Sequence, residues 1–208
     1  MADLIIFGSG ALAREAQSIA RSTHASSSLI LQPLATDEIS KSPLDVLAGK
    51  DPATTQVFAA IGYAALNFAR FDLWAKLRLL GFRCASLVDP GAMVDPTAKI
   101  LDNVLVAAGV VVGADTVLGT GSIVQANASI QAGSKLGKFI WVGPGAVIGA
   151  DTTIGSHQVI GSGVVIADGS SIGGHGEIST PGLYQGTLAK GTFVGHGFDR
   201  PVRMIERR

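Results

Sequence analysis

The chain is short of several things at once. It has one cysteine, Cys84, in 208 residues. That excludes an intrachain disulfide and a multi-cysteine metal site, and it suits a reducing compartment where such a residue is a small buried hydrophobe. Charged residues are 15% of the chain, against the roughly 25% usual in soluble proteins. Lys plus Arg number 16 and Asp plus Glu number 16, so the formal charge is zero. No basic patch invites nucleic acid, and no acidic tail is present. The only histidines are His24, His157, His175 and His196. They are too few for a catalytic zinc site built from converging imidazoles, and no metal is expected. No apolar run approaches the roughly 18–20 residues that span a bilayer. The opening MADLIIFGSG lacks the basic leader and long apolar core of a signal peptide. A cytoplasmic protein without membrane insertion is the expectation.

What the chain has instead is glycine, 27 residues of it, and a period. From Val88 an aliphatic residue falls at every sixth position: Val88, Val94, Ile100, Val106, Val112, Leu118, Val124, Ile130, Leu136, Val142, Ile148, Ile154, Ile160, Ile166, Ile172 and Ile178. Four places after each stands Ala, Ser, Thr, Val or Gly, except at Ile140 and Gln158. A six-residue period is no helix face, which needs 3.6. It suits a short strand plus a corner, repeated so that each strand pairs with its counterpart in the next coil at roughly 4.8 Å. The aliphatic side chain points inward on each side of the coil.

Residues 1–85 read differently, as a small parallel α/β unit. Leu4–Phe7 is a short apolar strand, and Gly8-Ser9-Gly10-Ala11-Leu12-Ala13 follows and opens a helix to about Arg21. Ser28–Leu31 and Val57–Ile61 are further strands. Ala64–Leu80 has apolar residues at helical spacing, with Gly81 placed to stop it. A Gly-x-Gly-x-x-Ala turn between strand and helix is where phosphate meets free backbone N–H groups. It is equally a tight turn that binds nothing. No acidic residue ends the second strand, and Asp37 comes late, so a dinucleotide site of the usual kind is not indicated.

On these residues the chain resembles the bacterial hexapeptide-repeat sugar acyltransferases, the group of sialic-acid O-acetyltransferases and nucleotide-4-amino-sugar N-acetyltransferases. The phrases VVVGADTVLGTGSIV and WVGPGAVIGADTTIG carry it, with Ile61-Gly62-Tyr63, Leu66-Asn67-x-x-Arg70, Gly81-Phe82 and Leu87-Val88-Asp89-Pro90. The resemblance implies a Rossmann-like nucleotide-sugar domain (1–85), a left-handed parallel β-helix of a little over five coils (86–183) and a C-terminal tail (184–208). It implies a homotrimer that transfers an acetyl group from acetyl-CoA to a UDP- or dTDP-amino-sugar. Gly8, Gly10, Ala11, Gly62, Asn67 and Arg70 would approach the nucleotide, although Asn67 and Arg70 also read as a solvated helix face. Trp141, Ser162, Thr180 and Arg200 would meet acyl-CoA, and Arg203 its phosphates, unless the tail is simply exposed.

The resemblance breaks at the catalytic base. The family's histidine falls on Ala132 and its partner on Gly133, while a second family histidine near the acyl group falls on Trp141 or Gly145. Three readings stay open. His157 and His175, eighteen residues apart and therefore stacked one coil apart above Phe139, replace the base. Alternatively an amine nucleophile arrives neutral and needs no strong base, since positioning alone supplies several kcal/mol. In the third, the protein is a non-catalytic homologue that binds nucleotide-sugar or serves as a trimeric scaffold.

Overall fold

The computed structural model describes residues 3–24, 28–34, 44–195, 197 and 200–204; Asp37 and His196 lie outside them. The N-terminal unit is a parallel sheet of β1 (Asp3–Phe7), β2 (Leu29–Gln32), β3 (Thr55–Ala59) and β4 (Arg83–Cys84), in the order β2-β1-β3-β4. Side chains alternate across β1, as a strand requires. Leu4 and Ile6 pack with helix α1 (Gly10–Thr23) and the solenoid beyond it. Ile5 and Phe7 join Leu73 and Leu77 of helix α2 (Phe68–Leu79) on the other face. The chain leaves β1 toward one sheet edge and returns through β3 toward the other. The carboxyl ends of β1 and β3 therefore flank a topological switch point, where open α/β sheets receive ligands. Cys84 packs into the α2-side core, and burial pushes its thiol up to about 12.

The period folds as expected, into a left-handed parallel β-helix with three sheets. As far as Tyr184, strands pair in parallel with those eighteen residues away, for example Val117 with Lys135 and Val147 with Val165. The first sheet runs from Leu87–Val88 through Trp141–Val142 to Thr192–Val194. The second runs from Met93–Val94 to Leu183–Tyr184 and the third from Lys99–Ile100 to Thr187–Leu188. The interior is the aliphatic column, with Val106, Val124, Ile130, Ile148, Ile160 and Ile178 fully buried.

The solenoid outlasts the boundary expected at 183. Tyr184 keeps the six-residue step, the next corner is shorter, and Leu188 and Val194 still pair with the coil above. Val202–Arg203 then turns back antiparallel along Thr192–Val194.

From Asn103 to His175 every corner carries a left-handed residue. On the corner between the third and first sheets these are Asn103, Gly121, Phe139, His157 and His175, all at φ between +54° and +71°. Against this corner the N-terminal unit docks. Asn103 is fully buried and pairs twice with Ala59, accepting from its N–H at 2.8 Å and donating to its carbonyl at 3.3 Å. Gly121 leaves room that the Phe139 ring fills. The Trp74 indole donates to Asp102 at 3.0 Å, and Gln125 donates to Glu15 of α1 at 3.1 Å.

Candidate functional site

The loop that follows β3 reaches a cleft on the solenoid through Tyr63. The loops that end β1 and β3, Gly8–Ala11 and Gly62–Ala65, lie side by side because those strands are neighbours in the sheet. At Gly8 the two loops approach closely, since a β-carbon there would press on the Ala60 carbonyl. Ser9, Gly10 and Ala11 are exposed, and Ser9 caps α1 with no side-chain hydrogen bond. Backbone N–H groups at that helix start remain available to an acceptor. Beyond Gly62 the Tyr63 ring leans on Trp141 of the first sheet, centroids 4.9 Å apart and tilted by 54°.

Tyr63 and Trp141 line a cleft of about 330 Å³ together with Pro144, Val159, Ser162 and Glu177. Gly161, Ser179 and Pro181 complete its wall. Of the residues that the family resemblance expects at acyl-CoA, Trp141 and Ser162 line this cleft, and Tyr63, Glu177 and Ser179 line it without having been expected there. A signal for Glu177 exists. The outward position of this sheet reads Leu105, Ile123, Trp141, Val159 and then Glu177, so a lone carboxylate interrupts an otherwise apolar column. It and Ser179 also line the smaller adjoining hollow with Phe193, Val194 and Gly195. Thr180 lies beside this region, its carbonyl accepting from Tyr184 at 2.8 Å. Arg200 is exposed beyond the last coil.

Two expected nucleotide contacts are corrected by burial. Arg70 and Asn67 are fully enclosed. Arg70 donates from Nε to the Gly121 carbonyl at 2.7 Å and from Nη1 to the carbonyls of Ile61 at 2.7 Å and Gly62 at 3.1 Å. Its Nη2 reaches Asn67 at 2.6 Å and the Ile140 carbonyl at 3.4 Å. Burial lowers its guanidinium to about 9, so it stays charged near neutrality. Arg70 is the clasp between the two domains, and Asn67 is one of its acceptors. Arg70 lies on α2 and Asn67 is its left-handed N-cap, and the solenoid covers both.

The histidines are also corrected as base candidates. His157 and His175 stack at 5.1 Å, as their spacing requires, with Phe139 stacked on His157 from the other side at 5.5 Å. The stack does not line the cleft. It lies under α2, where Phe68 covers His157 at 4.2 Å and Phe71 meets it edge-on. His157 Nδ1 is 3.2 Å from the Leu66 carbonyl. Burial, then the neighbouring His175 and Arg70, hold its pKa below the usual value against the raising pull of Leu66 and Asp72. Among the described residues no group of three or more His, Cys, Asp or Glu is arranged to hold a metal ion. No described helix is long and apolar enough to cross a membrane.

Ala132, the position where the family resemblance expects a base, is exposed on a different corner, between the second and third sheets. The cleft belongs to the first sheet, so one chain does not bring Ala132 to Trp141.

No protein-family model and no curated protein matches the sequence. Solved structures do. A histidine-to-alanine variant of GDP-perosamine N-acetyltransferase from Caulobacter crescentus, in complex with CoA and GDP-perosamine, matches with a TM-score of 0.79 at 21% identity, covering 93% of each chain. The chain has the fold of the hexapeptide-repeat sugar acyltransferases. The acetyltransferase domain of PglB from Neisseria gonorrhoeae, in complex with acetyl coenzyme A, matches at 0.63 and 21% identity over 96% of this chain and 98% of that one. WeeI from Acinetobacter baumannii matches at 0.62 and 16% identity over 97% and 100%. In all three the likeness spans both domains.

Proposed function

We propose that the protein transfers an acetyl group from acetyl-CoA to the amine of a nucleotide-linked amino-sugar, as a homotrimer, in surface glycan biosynthesis. The observation that carries this is the meeting of an open switch point with a cleft on the solenoid, joined by Tyr63 over Trp141. The nucleotide phosphates lie against the Gly8–Ala11 turn and the start of α1, with Gly62 beside them. The sugar extends past Tyr63. Acetyl-CoA lies along Trp141, Ser162 and Thr180, its phosphates toward Arg200. The solved neighbours support this reading by what they hold: CoA with GDP-perosamine in one, acetyl coenzyme A in another.

Ala132 offers no base. The neutral amine attacks the thioester carbonyl, the C–N bond forms and the C–S bond breaks. The ammonium proton then passes to the departing CoA thiolate or to water. Glu177 is the carboxylate that lines the cleft. The trimer is supported by the second sheet, whose outward residues are Met93, Val111, Ser129, Val147, Val165 and Leu183, with Met93 63% and Leu183 66% exposed. Packing against another copy would cover this stripe and is the route by which an Ala132 corner reaches a cleft.

The test is turnover of acetyl-CoA with a panel of UDP-, dTDP- and GDP-linked amino- and hydroxy-sugars across pH. N-acetylation whose rate rises with pH as the substrate ammonium deprotonates supports the base-free route. Nucleotide-sugar binding with no turnover at any pH, and none created by Ala132→His, replaces it with a non-catalytic binding protein.

A further inference from the structure

We propose that His157 is a positioning residue. It latches the left-handed turn Ala65–Asn67 to the solenoid corner and so fixes Tyr63 over Trp141. The inference rests on reading the cleft as the acceptor site.

Ala65, Leu66 and Asn67 have φ of 49°, 52° and 66°. Three successive non-glycine residues in this region are unfavourable for L-amino acids, and such conformations persist only where the surroundings over-determine them. Part of that determination is internal. Asn67 N–H reaches the carbonyls of Tyr63 at 3.2 Å and Ala64 at 3.1 Å, and Phe68 N–H reaches Ala65 at 3.0 Å. The Leu66 carbonyl is held from outside, by His157 Nδ1 at 3.2 Å. A carbonyl only accepts, so Nδ1 carries the hydrogen. The ring that donates it is stacked between Phe139 and His175, at 5.5 and 5.1 Å, and Phe68 stacks on it at 4.2 Å. The path runs from a rigid corner to His157, to the Leu66 carbonyl, to the turn that begins at Tyr63, and to the cleft.

The same corner supplies the test substitutions, because Asn103 and Phe139 occupy the equivalent left-handed position in other coils. His157→Phe keeps the stack and removes the donor. His157→Asn sets its amide nitrogen near the place of Nδ1 and keeps the donor. The reporter is Trp141 emission in the full-length protein carrying Trp74→Phe, which leaves Trp141 as the only tryptophan of the 2 in the chain.

His157→Phe should raise acrylamide quenching of Trp141 at least twofold, and His157→Asn should leave it within a quarter of the parent. Where turnover is measured, His157→Phe should raise KM for the amino-sugar about tenfold and leave KM for acetyl-CoA within twofold. Unchanged quenching in His157→Phe overturns the proposal. Equal shifts in both variants also overturn it, since they make His157 packing alone. If His157→Phe does not fold, His157→Ala takes its place with the same criteria. The emission arm needs no turnover, so it decides this latch even where the acetyl-transfer reading fails.

Discussion

Two corners of the same solenoid differ in everything but their backbone. Asn103, Gly121, Phe139, His157 and His175 form one ladder, and Asp115, Gly133, Asp151 and Gly169 form another, all left-handed with φ from +52° to +73°. On the first, every side chain or carbonyl named above is spent on the N-terminal unit. On the second, Asp115, Asp151 and Gly169 face solvent, and Ala132 sits beside them. The repeat dictates the conformation of a corner and leaves its side chain free. What a corner does is decided by what lies across from it.

Breaking the docked corner should therefore cost far more than breaking the open one. Arg70→Met should have the largest effect. It strips the carbonyls of Gly121, Ile61 and Gly62 of a donor inside a closed seam, for a loss of about 3–4 kcal/mol in urea unfolding. Asn103→Ala comes next. It leaves both backbone groups of Ala59 unpaired, at about 2–3 kcal/mol by the same measurement.

The third expectation is a pH effect confined to the docked corner. Burial first, and then His175 and Arg70, depress His157. The unfolded chain then takes up its proton at a higher pH, near 6.5, than the folded one. Stability is thus full above that value and falls as pH drops from about 6.5 toward the lowered folded value. Thermal midpoints of wild type and His157→Asn, measured between pH 7.5 and 5.5, should converge on acidification. Curves that stay parallel would show that His157 does not titrate differently on folding. The smallest effect belongs to the open corner, where Asp151→Ala should change stability by no more than about 0.5 kcal/mol.

The sequence made the solenoid legible almost residue by residue, because a repeat is a local rule. Even the stacking of Phe139, His157 and His175 followed from counting eighteens. Their purpose did not, since it depends on α2 arriving from a different domain. Arg70 shows the same limit. Its neighbours one turn away are Leu66, Asn67, Leu73 and Trp74, and nothing local says that a solenoid corner will cover Arg70 itself. The stretch Ala64–Asn67 read as the start of a helix from its composition. It is instead a left-handed turn without glycine, sustained by contacts some ninety residues away in the chain, such as Leu66 with His157. In the cleft, Trp141 and Ser162 are residues that only the family resemblance singles out. Tyr63 was visible only as part of a motif, and Glu177 only as an interruption of an outward column.

The reversed strand Val202–Arg203 has a consequence for how the molecule ends. A stack of parallel strands is a template for its own lengthening, because its last coil presents the same unpaired backbone groups as every coil before it. Two features of this chain work against that. The final corner is cut short between Tyr184 and Leu188, so the last turn no longer matches the one a second molecule would offer. The antiparallel pairing of Thr192 with Arg203 and Phe193 with Val202 then closes the first sheet with a strand running the wrong way for continuation. The first sheet thus ends on a strand that does not continue the parallel ladder.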